Sequence, residues 1–272
     1  MSDSYLGAFG LKEAPFTKEI ADADLWVPSS KQGLVDELCQ AVSEHASVLL
    51  TGEPGVGKTC VLRAVRRRLP EAGYRLTYCH NATLGRRDFY RQLCLALGLD
   101  PKATAASLFF SVTSHVQDLG QDRVHPVFLI DEAHLLHPEM LAHLHILLNY
   151  EWDSKALLSL ILVGLPELSD QLKMRRFRSL HSRIHWRLHI DPLSPDDTAE
   201  YLRYRMKRAG CERDVFTQDA VQMLHEAAAG GMRDLDRLAT GCLREAARKK
   251  RKLVERDLLT HVLDRDGLEQ TG

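Results

Sequence analysis

Ser47-Val48-Leu49-Leu50-Thr51 runs directly into Gly52-Glu53-Pro54-Gly55-Val56-Gly57-Lys58-Thr59, and a helical pattern over residues 59–69 follows. Five mostly aliphatic residues are too few for a helix and read as a buried strand. The next eight match G-x-x-x-x-G-K-[ST] in the strand–loop–helix setting that gives the pattern meaning. Glycines let such a loop wrap tightly, so that successive backbone N–H groups converge on phosphate oxygens at a helix N-terminus. Lys58 then neutralises the outer phosphates of a nucleoside triphosphate, and the Thr59 hydroxyl is a ligand for Mg²⁺. The residues expected around the nucleotide are Gly52, Glu53, Pro54, Gly55, Val56, Gly57, Lys58, Thr59 and Cys60.

Further strands are predicted over 75–79, 127–130 and 158–163, with a weaker one over 186–190. Between them, 87–97, 105–119 and 138–150 carry helical spacing. Strands alternating with helices predict an α/β fold with a parallel sheet flanked by helices. Val127-Phe128-Leu129-Ile130 ends in Asp131-Glu132, so a buried strand delivers two carboxylates to the sheet edge where ligands bind in such folds. Asp131 is expected to hold Mg²⁺ through water, and Glu132 to polarise the attacking water as general base. Asp131-Glu132-Ala133-His134 also spells the box of one helicase class, but that class needs a second motif-bearing domain, and the sequence shows no second set.

Beyond residue 192 the strand pattern stops. Asp191-Pro192-Leu193-Ser194-Pro195 is a turn-rich junction, and Ser194 with Asp197 resembles a helix start. Helices are predicted over 195–209, 217–229, 231–249 and 255–264, which divides the chain into an α/β part, residues 1–192, and a small all-α lid, residues 193–272. A net charge of −1 gives no general attraction for nucleic acid, so a basic surface must come from local clustering. Six scattered cysteines without a C-x-x-C pair exclude a patterned disulfide or zinc framework. With no signal-peptide pattern and no long apolar run, the chain is expected in the cytoplasm and not in the membrane.

The phosphate loop, the acidic strand end, a late basic segment and a helical lid together resemble the AAA+ ATPase superfamily. That resemblance implies ATP and Mg²⁺ as ligands, hydrolysis to ADP and phosphate, a nucleotide held between the α/β part and the lid, and a homo-oligomer in the ATP state. Leu180-His181-Ser182-Arg183-Ile184 resembles the motif carrying an arginine finger, which points to Arg183, with Arg178 as the alternative. Gly231-Met232-Arg233-Asp234-Leu235 resembles the lid sensor motif and implies that Arg233 reaches the γ-phosphate. One departure stands out. The fourth strand should end in a polar sensor residue, yet Leu162-Val163-Gly164-Leu165-Pro166 offers none.

Tyr5-Leu6, Phe9-Gly10-Leu11, Pro15-Phe16 and Gly164-Leu165-Pro166-Glu167-Leu168 resemble the ExeA/TniB type, related to the transposition helpers IstB and TnsC. Secretion-associated members continue into a transmembrane helix and a wall-binding domain, which these 272 residues do not carry. The expectation is therefore an accessory ATPase that assembles on duplex DNA and recruits or regulates a DDE transposase. The alternatives are a secretion-assembly ATPase without a DNA role and a slow-turnover nucleotide switch, the latter suggested by the missing sensor. Lys173, Arg175, Arg176 and Arg178, in a stretch without acids, are the candidate DNA contacts, and helix-face charge or subunit contact is the other reading. His134, His137, His143 and His145 cluster after the acidic pair but are expected to be polar or hydrogen-bonded residues, since 143 and 145 point to different helix faces.

Overall fold

Five parallel strands form one sheet: β1 (Ser47–Thr51), β2 (Tyr74–Cys79), β3 (His125–Ile130), β4 (Ser159–Gly164) and β5 (Ile184–His189), in the order β2-β3-β4-β1-β5. The computed structural model describes residues 4–79, 84–101 and 104–269, Ser4 and the last four as backbone only. Crossovers between the strands are helical, as parallel pairing requires: α3 (Lys58–Arg68), α4 (Arg86–Ala96), α5 (Ala105–Gln121) and α6 (Pro138–Leu147), then the short α7 (Glu167–Lys173) and α8 (Arg178–His181). A helix α2 (Gln32–Ser43), absent from the sequence reading, precedes β1.

β1, β3 and β4 are buried along their whole length. Leu49, Phe128, Ile130, Leu160 and Leu162 point to one face and join a core with Tyr90, Leu93, Leu108, Val112, Met140 and Leu144 from α4, α5 and α6. The intervening Val48, Leu50, Val127, Leu129, Ile161 and Val163 are buried on the opposite face. Burial on both faces is why these strands read as continuous apolar runs and not as alternating ones. The predicted helix over 138–150 stops at Leu147. Three successive left-handed residues, Glu151, Trp152 and Asp153, then turn the chain, leaving the Trp152 side chain fully exposed.

The chain forms two compact units, and they are interleaved in sequence. One comprises residues 33–53 and 61–190 and holds the sheet; the other comprises residues 1–32, 54–60 and 191–272. The second is built from α1 (Ser4–Phe9), α9 (Pro195–Arg208), α10 (Gln218–Ala228), α11 (Met232–Arg248) and α12 (Arg256–Glu269). The start of α9 is fixed by a capping box: Ser194 Oγ accepts from the Asp197 N–H and Asp197 Oδ2 from the Ser194 N–H, each at 3.1 Å.

A division at residue 192 would place the first 32 residues with the sheet; in space they group with the C-terminal helices instead. The reason is apolar surface with no strand to cover it. Tyr5, Phe9 and Trp26 share a core with Tyr201, Met206, Leu224, Leu235 and Leu258, and Trp26 packs on Tyr201 with ring centroids 5.2 Å apart. Arg205, 2% exposed, donates to the Pro15 and Thr17 carbonyls, both at 2.7 Å, and to the Tyr201 hydroxyl at 2.6 Å. A buried guanidinium is tolerated only when its donors are satisfied in this way.

At the start of β3, His125 is buried, stacked on His45 at 3.9 Å and bonded through Nε2 to Ser159 Oγ at 2.9 Å. Burial, reinforced by the His45 charge, pushes its pKa down to about 4. The folded state therefore resists a proton that the unfolded chain accepts near pH 6.5. Stability from this group is complete above pH 6.5 and is lost as pH falls toward 4, amounting to about 2 kcal/mol at pH 5. Urea unfolding of wild type and His125→Asn at pH 7 and pH 5 should show a smaller loss on acidification in the variant; equal losses would refute this assignment.

Candidate nucleotide-binding site

In the helical unit, the phosphate loop from Pro54 to Cys60 is pinned by its own glycines and by the start of α11. Gly55 and Gly57 adopt φ of 80° and 97°, left-handed values that a residue with a Cβ reaches only under strain. The Met232 N–H donates to the Gly55 carbonyl at 2.9 Å. A Cβ on Gly57 would come 2.8 Å from Met232 Sδ, and one on Gly55 would lie 3.3 Å from the Arg233 Cβ. The start of α11 thus crowds the loop at Gly55 and Gly57, and Arg233, exposed, stands beside it. Lys58 opens α3 and is buried, whereas Thr59 is exposed. The loop amides therefore sit at a helix N-terminus, where backbone dipoles favour an anion.

Lys31, which the sequence reading passed over, is buried in the same unit and donates to the Asp191 carbonyl. Burial lowers its pKa, opposed by Asp197, Asp191 and Cys60. Ser30 Oγ donates to Asp197 Oδ2 at 2.9 Å.

In the sheet unit, β4 lies between β1 and β3, so the end of β1 and the acidic end of β3 flank it. The Gly52 N–H donates to the Gly164 carbonyl at 3.2 Å, carrying the β1–β4 ladder into the first residue of the loop. Asp131 is 8% exposed; its Oδ2 accepts from the Tyr78 hydroxyl at 2.8 Å and its Oδ1 from the Glu132 N–H at 2.9 Å. Tyr78 is the penultimate residue of β2, next to β3. Partial burial, the hydrogen bond to Asp131 and the charges of Asp131 and Glu132 all push its phenol upward, so it stays a donor. Nothing in the sequence marks Tyr78, because its role depends on strand order.

Glu132 is exposed and left-handed, with φ 53° and ψ 36°. A β-strand residue followed by a non-glycine in this region is a costly arrangement, of the kind that gathers at functional sites. Its Oε2 lies 3.5 Å from His134 Nε2, and His134 Nδ1 accepts from the Leu165 N–H at 3.4 Å. Gly164 ends β4, so no side chain projects from the strand end where the sequence resemblance implies a polar sensor.

Arg183 is anchored within its own chain: Nη2 meets Asp153 Oδ2 at 2.7 Å and Nη1 donates to the Ser179 carbonyl at 3.1 Å. Arg178, the alternative finger, opens α8 and is exposed. Among the DNA candidates, Lys173 pairs with Asp170 at 2.8 Å and Arg176 lies over the Phe177 ring at 4.6 Å, while Arg175 is exposed in the short turn between α7 and α8. The basic stretch is thus partly neutralised by an acid immediately before it. His143 bonds the Tyr90 hydroxyl at 2.9 Å and His145 the Ala142 carbonyl at 2.5 Å. None of the six cysteines is in a disulfide. Among the described residues no helix is long and apolar enough to cross a membrane.

The chain is 33% identical, over 98% of its length, to general secretion pathway protein A of Aeromonas hydrophila, and it spans about half the length of that curated relative. Among solved structures, it is similar to the ORC1 protein of Aeropyrum pernix in complex with DNA, at 19% identity and a TM-score of 0.67, covering 92% of this chain and 68% of that one. It is also similar to the Holliday junction branch migration motor RuvB of Thermotoga maritima, at 16% identity and a TM-score of 0.58, covering 86% of this chain and 68% of that one. Residues 39–172 match the family model described as an AAA domain. With that match, the five-stranded parallel sheet and the glycine-pinned loop after β1, the chain carries the P-loop AAA+ fold.

Proposed function

We propose that the protein binds ATP with Mg²⁺ and hydrolyses it to ADP and phosphate. The observation that carries this reading is the loop itself: left-handed Gly55 and Gly57, Lys58 at the start of α3, and Arg233 beside the loop. Loop amides and Lys58 bind the phosphates, and Arg233 adds positive charge from the same chain. An alcohol and a carboxylate suit Mg²⁺, which prefers oxygen ligands and keeps several waters. Thr59 would hold it directly and Asp131 through water, since both Asp131 oxygens already accept hydrogen bonds within the protein. Bound there, the ion would supply positive charge to the phosphate oxygens. Glu132 takes the proton of the attacking water.

Lys58→Ala tests the reading. Removing one charge-assisted contact is expected to weaken ATP binding about 10- to 100-fold, measured by titration with a fluorescent ATP analogue in Mg²⁺. Wild-type protein with no affinity for adenine nucleotides would overturn the proposal.

For the wider role, the curated relative, named for a general secretion pathway and matched over nearly the whole of this chain, supports a secretion-associated ATPase; a homo-oligomer in the ATP state and a place on the cytoplasmic side, where ATP is found, rest on the sequence resemblance. A role on duplex DNA with a transposase rests on the sequence resemblance and on the exposed basic residues Lys173, Arg175, Arg176 and Arg178. Duplex DNA separates the two. Stimulation of hydrolysis at low salt that fades steeply as salt rises supports the DNA role, and indifference to DNA supports the secretion role. Turnover that stays slow under both conditions supports a nucleotide switch, in keeping with the bare Gly164.

A further inference from the structure

The edge of the sheet beside Glu132 carries an imidazole that the chemistry above does not use. His134 sits in the short turn Ala133–Leu135, which the Glu132 carbonyl fixes by accepting from the Leu135 N–H at 2.9 Å. Ala133 before it is fully buried, and only 15% of the His134 side chain is exposed. Its two ring nitrogens face different partners. Nδ1 accepts the N–H of Leu165, the residue after β4, and Nε2 faces Glu132 Oε2 at 3.5 Å. A neutral imidazole that accepts at one nitrogen carries its proton on the other. The ring therefore presents an N–H to the carboxylate of Glu132.

The space beside β4 leads to the same conclusion. A Cβ on Gly164 would lie 2.8 Å from Leu168 Cδ2, 3.2 Å from His134 Nδ1 and 3.4 Å from the His134 backbone nitrogen. A polar side chain on the last residue of β4 and the imidazole of His134 compete for one volume. Leu168 and His134 together leave room only for glycine at that position.

We propose that His134 is a positioning residue for hydrolysis: it supplies, from the turn after β3, the polar group that β4 lacks, and it orients the Glu132 carboxylate toward the water. In the step it serves, a water O–H proton passes to the Glu132 carboxylate while the water oxygen bonds to the γ-phosphorus. The bond from that phosphorus to the β–γ bridging oxygen breaks, and ADP leaves with the electron pair. His134 keeps its proton throughout. The pair adds little to stability, because half of the Glu132 side chain is exposed and such contacts are screened. Its use is directional. The inference rests on the reading of Glu132 as the base.

The test compares His134→Leu, which fills the volume without a donor, with His134→Gln, which restores an N–H at similar reach. His134→Leu is expected to lower kcat about 10- to 100-fold, the worth of one hydrogen bond to a charged group, with ATP affinity unchanged and the protein still folded at the assay temperature. His134→Gln should recover much of the loss. In a Glu132→Gln background, His134→Leu should cost nothing further, because residues acting through one another are not additive. Wild-type kcat in His134→Leu, a His134→Gln no better than His134→Leu, or an additive loss in the double variant would overturn the proposal. Wild-type turnover in Glu132→Gln alone would overturn the reading of Glu132, and the positioning role with it.

Discussion

Glu132→Gln is expected to slow single-turnover hydrolysis about 10²- to 10⁴-fold, the usual worth of a positioned general base, while ATP affinity is retained. The amide keeps the size of the side chain and its left-handed backbone, but it cannot accept the water proton. Asp131 stays fixed by Tyr78 and by the N–H of residue 132, so the proposed Mg²⁺ position is undisturbed. The variant should accumulate in its ATP state, and any ATP-driven oligomer should persist where the wild type disassembles. Quenched-flow measurement of phosphate from bound ATP gives the rate directly. A wild-type rate would mean that the water is activated by another group.

Arg183→Ala carries the second large effect. If Arg183 acts on the nucleotide of a neighbouring copy, its removal should lower turnover by roughly 10³-fold or more and spare ATP binding. Its ion pair with Asp153 joins side chains 24% and 53% exposed, so losing it should cost no more than about 1 kcal/mol of stability. Reduced activity would then not be the result of unfolding. Mixing supplies the sharper test. Lys58→Ala protein has an intact Arg183 but a weakened phosphate site, and Arg183→Ala protein has the reverse. Activity recovered on mixing the two places the arginine between subunits; full activity of Arg183→Ala by itself moves the role to Arg178. Because Asp153 holds the guanidinium in the single chain, an arginine acting in trans must first exchange that partner for phosphate oxygens.

Much of the sheet unit could be read directly from the chain. Strands buried on both faces leave aliphatic runs such as Leu160-Ile161-Leu162-Val163, and the loop from Gly52 to Thr59 declares its conformation through glycines that the backbone needs at φ above zero. The helix from Gln32 to Ser43 leaves no comparable mark although Val35, Leu38, Ala41 and Val42 give it a buried face, because those positions lie among polar residues with no strand before them. Tyr78 and His134 were legible as residues but not as partners. Tyr78 reaches Asp131 only because β2 pairs with β3, and His134 meets Leu165 across 31 residues of sequence. Lys31 and Arg205 owe their roles to carbonyls far along the chain, and no local pattern records such contacts. The arginine-finger and DNA-contact expectations concern surfaces that meet other molecules, which a single chain does not display.

The interleaving of the two units limits how this chain can be divided. It passes between them at residues 32/33, 53/54, 60/61 and 190/191, and the middle two crossings enclose Pro54–Cys60, the greater part of the phosphate loop. A polypeptide ending at Ile190 would keep every strand yet lose Met232, whose N–H meets the Gly55 carbonyl, and Arg233 beside it. It would also strip Tyr5, Phe9 and Trp26 of the helices that bury them, leaving aromatic surface open to aggregation. The sheet-bearing part of such a chain is not a severable cassette, and a fragment that keeps the loop contacts has to carry the C-terminal helices with it.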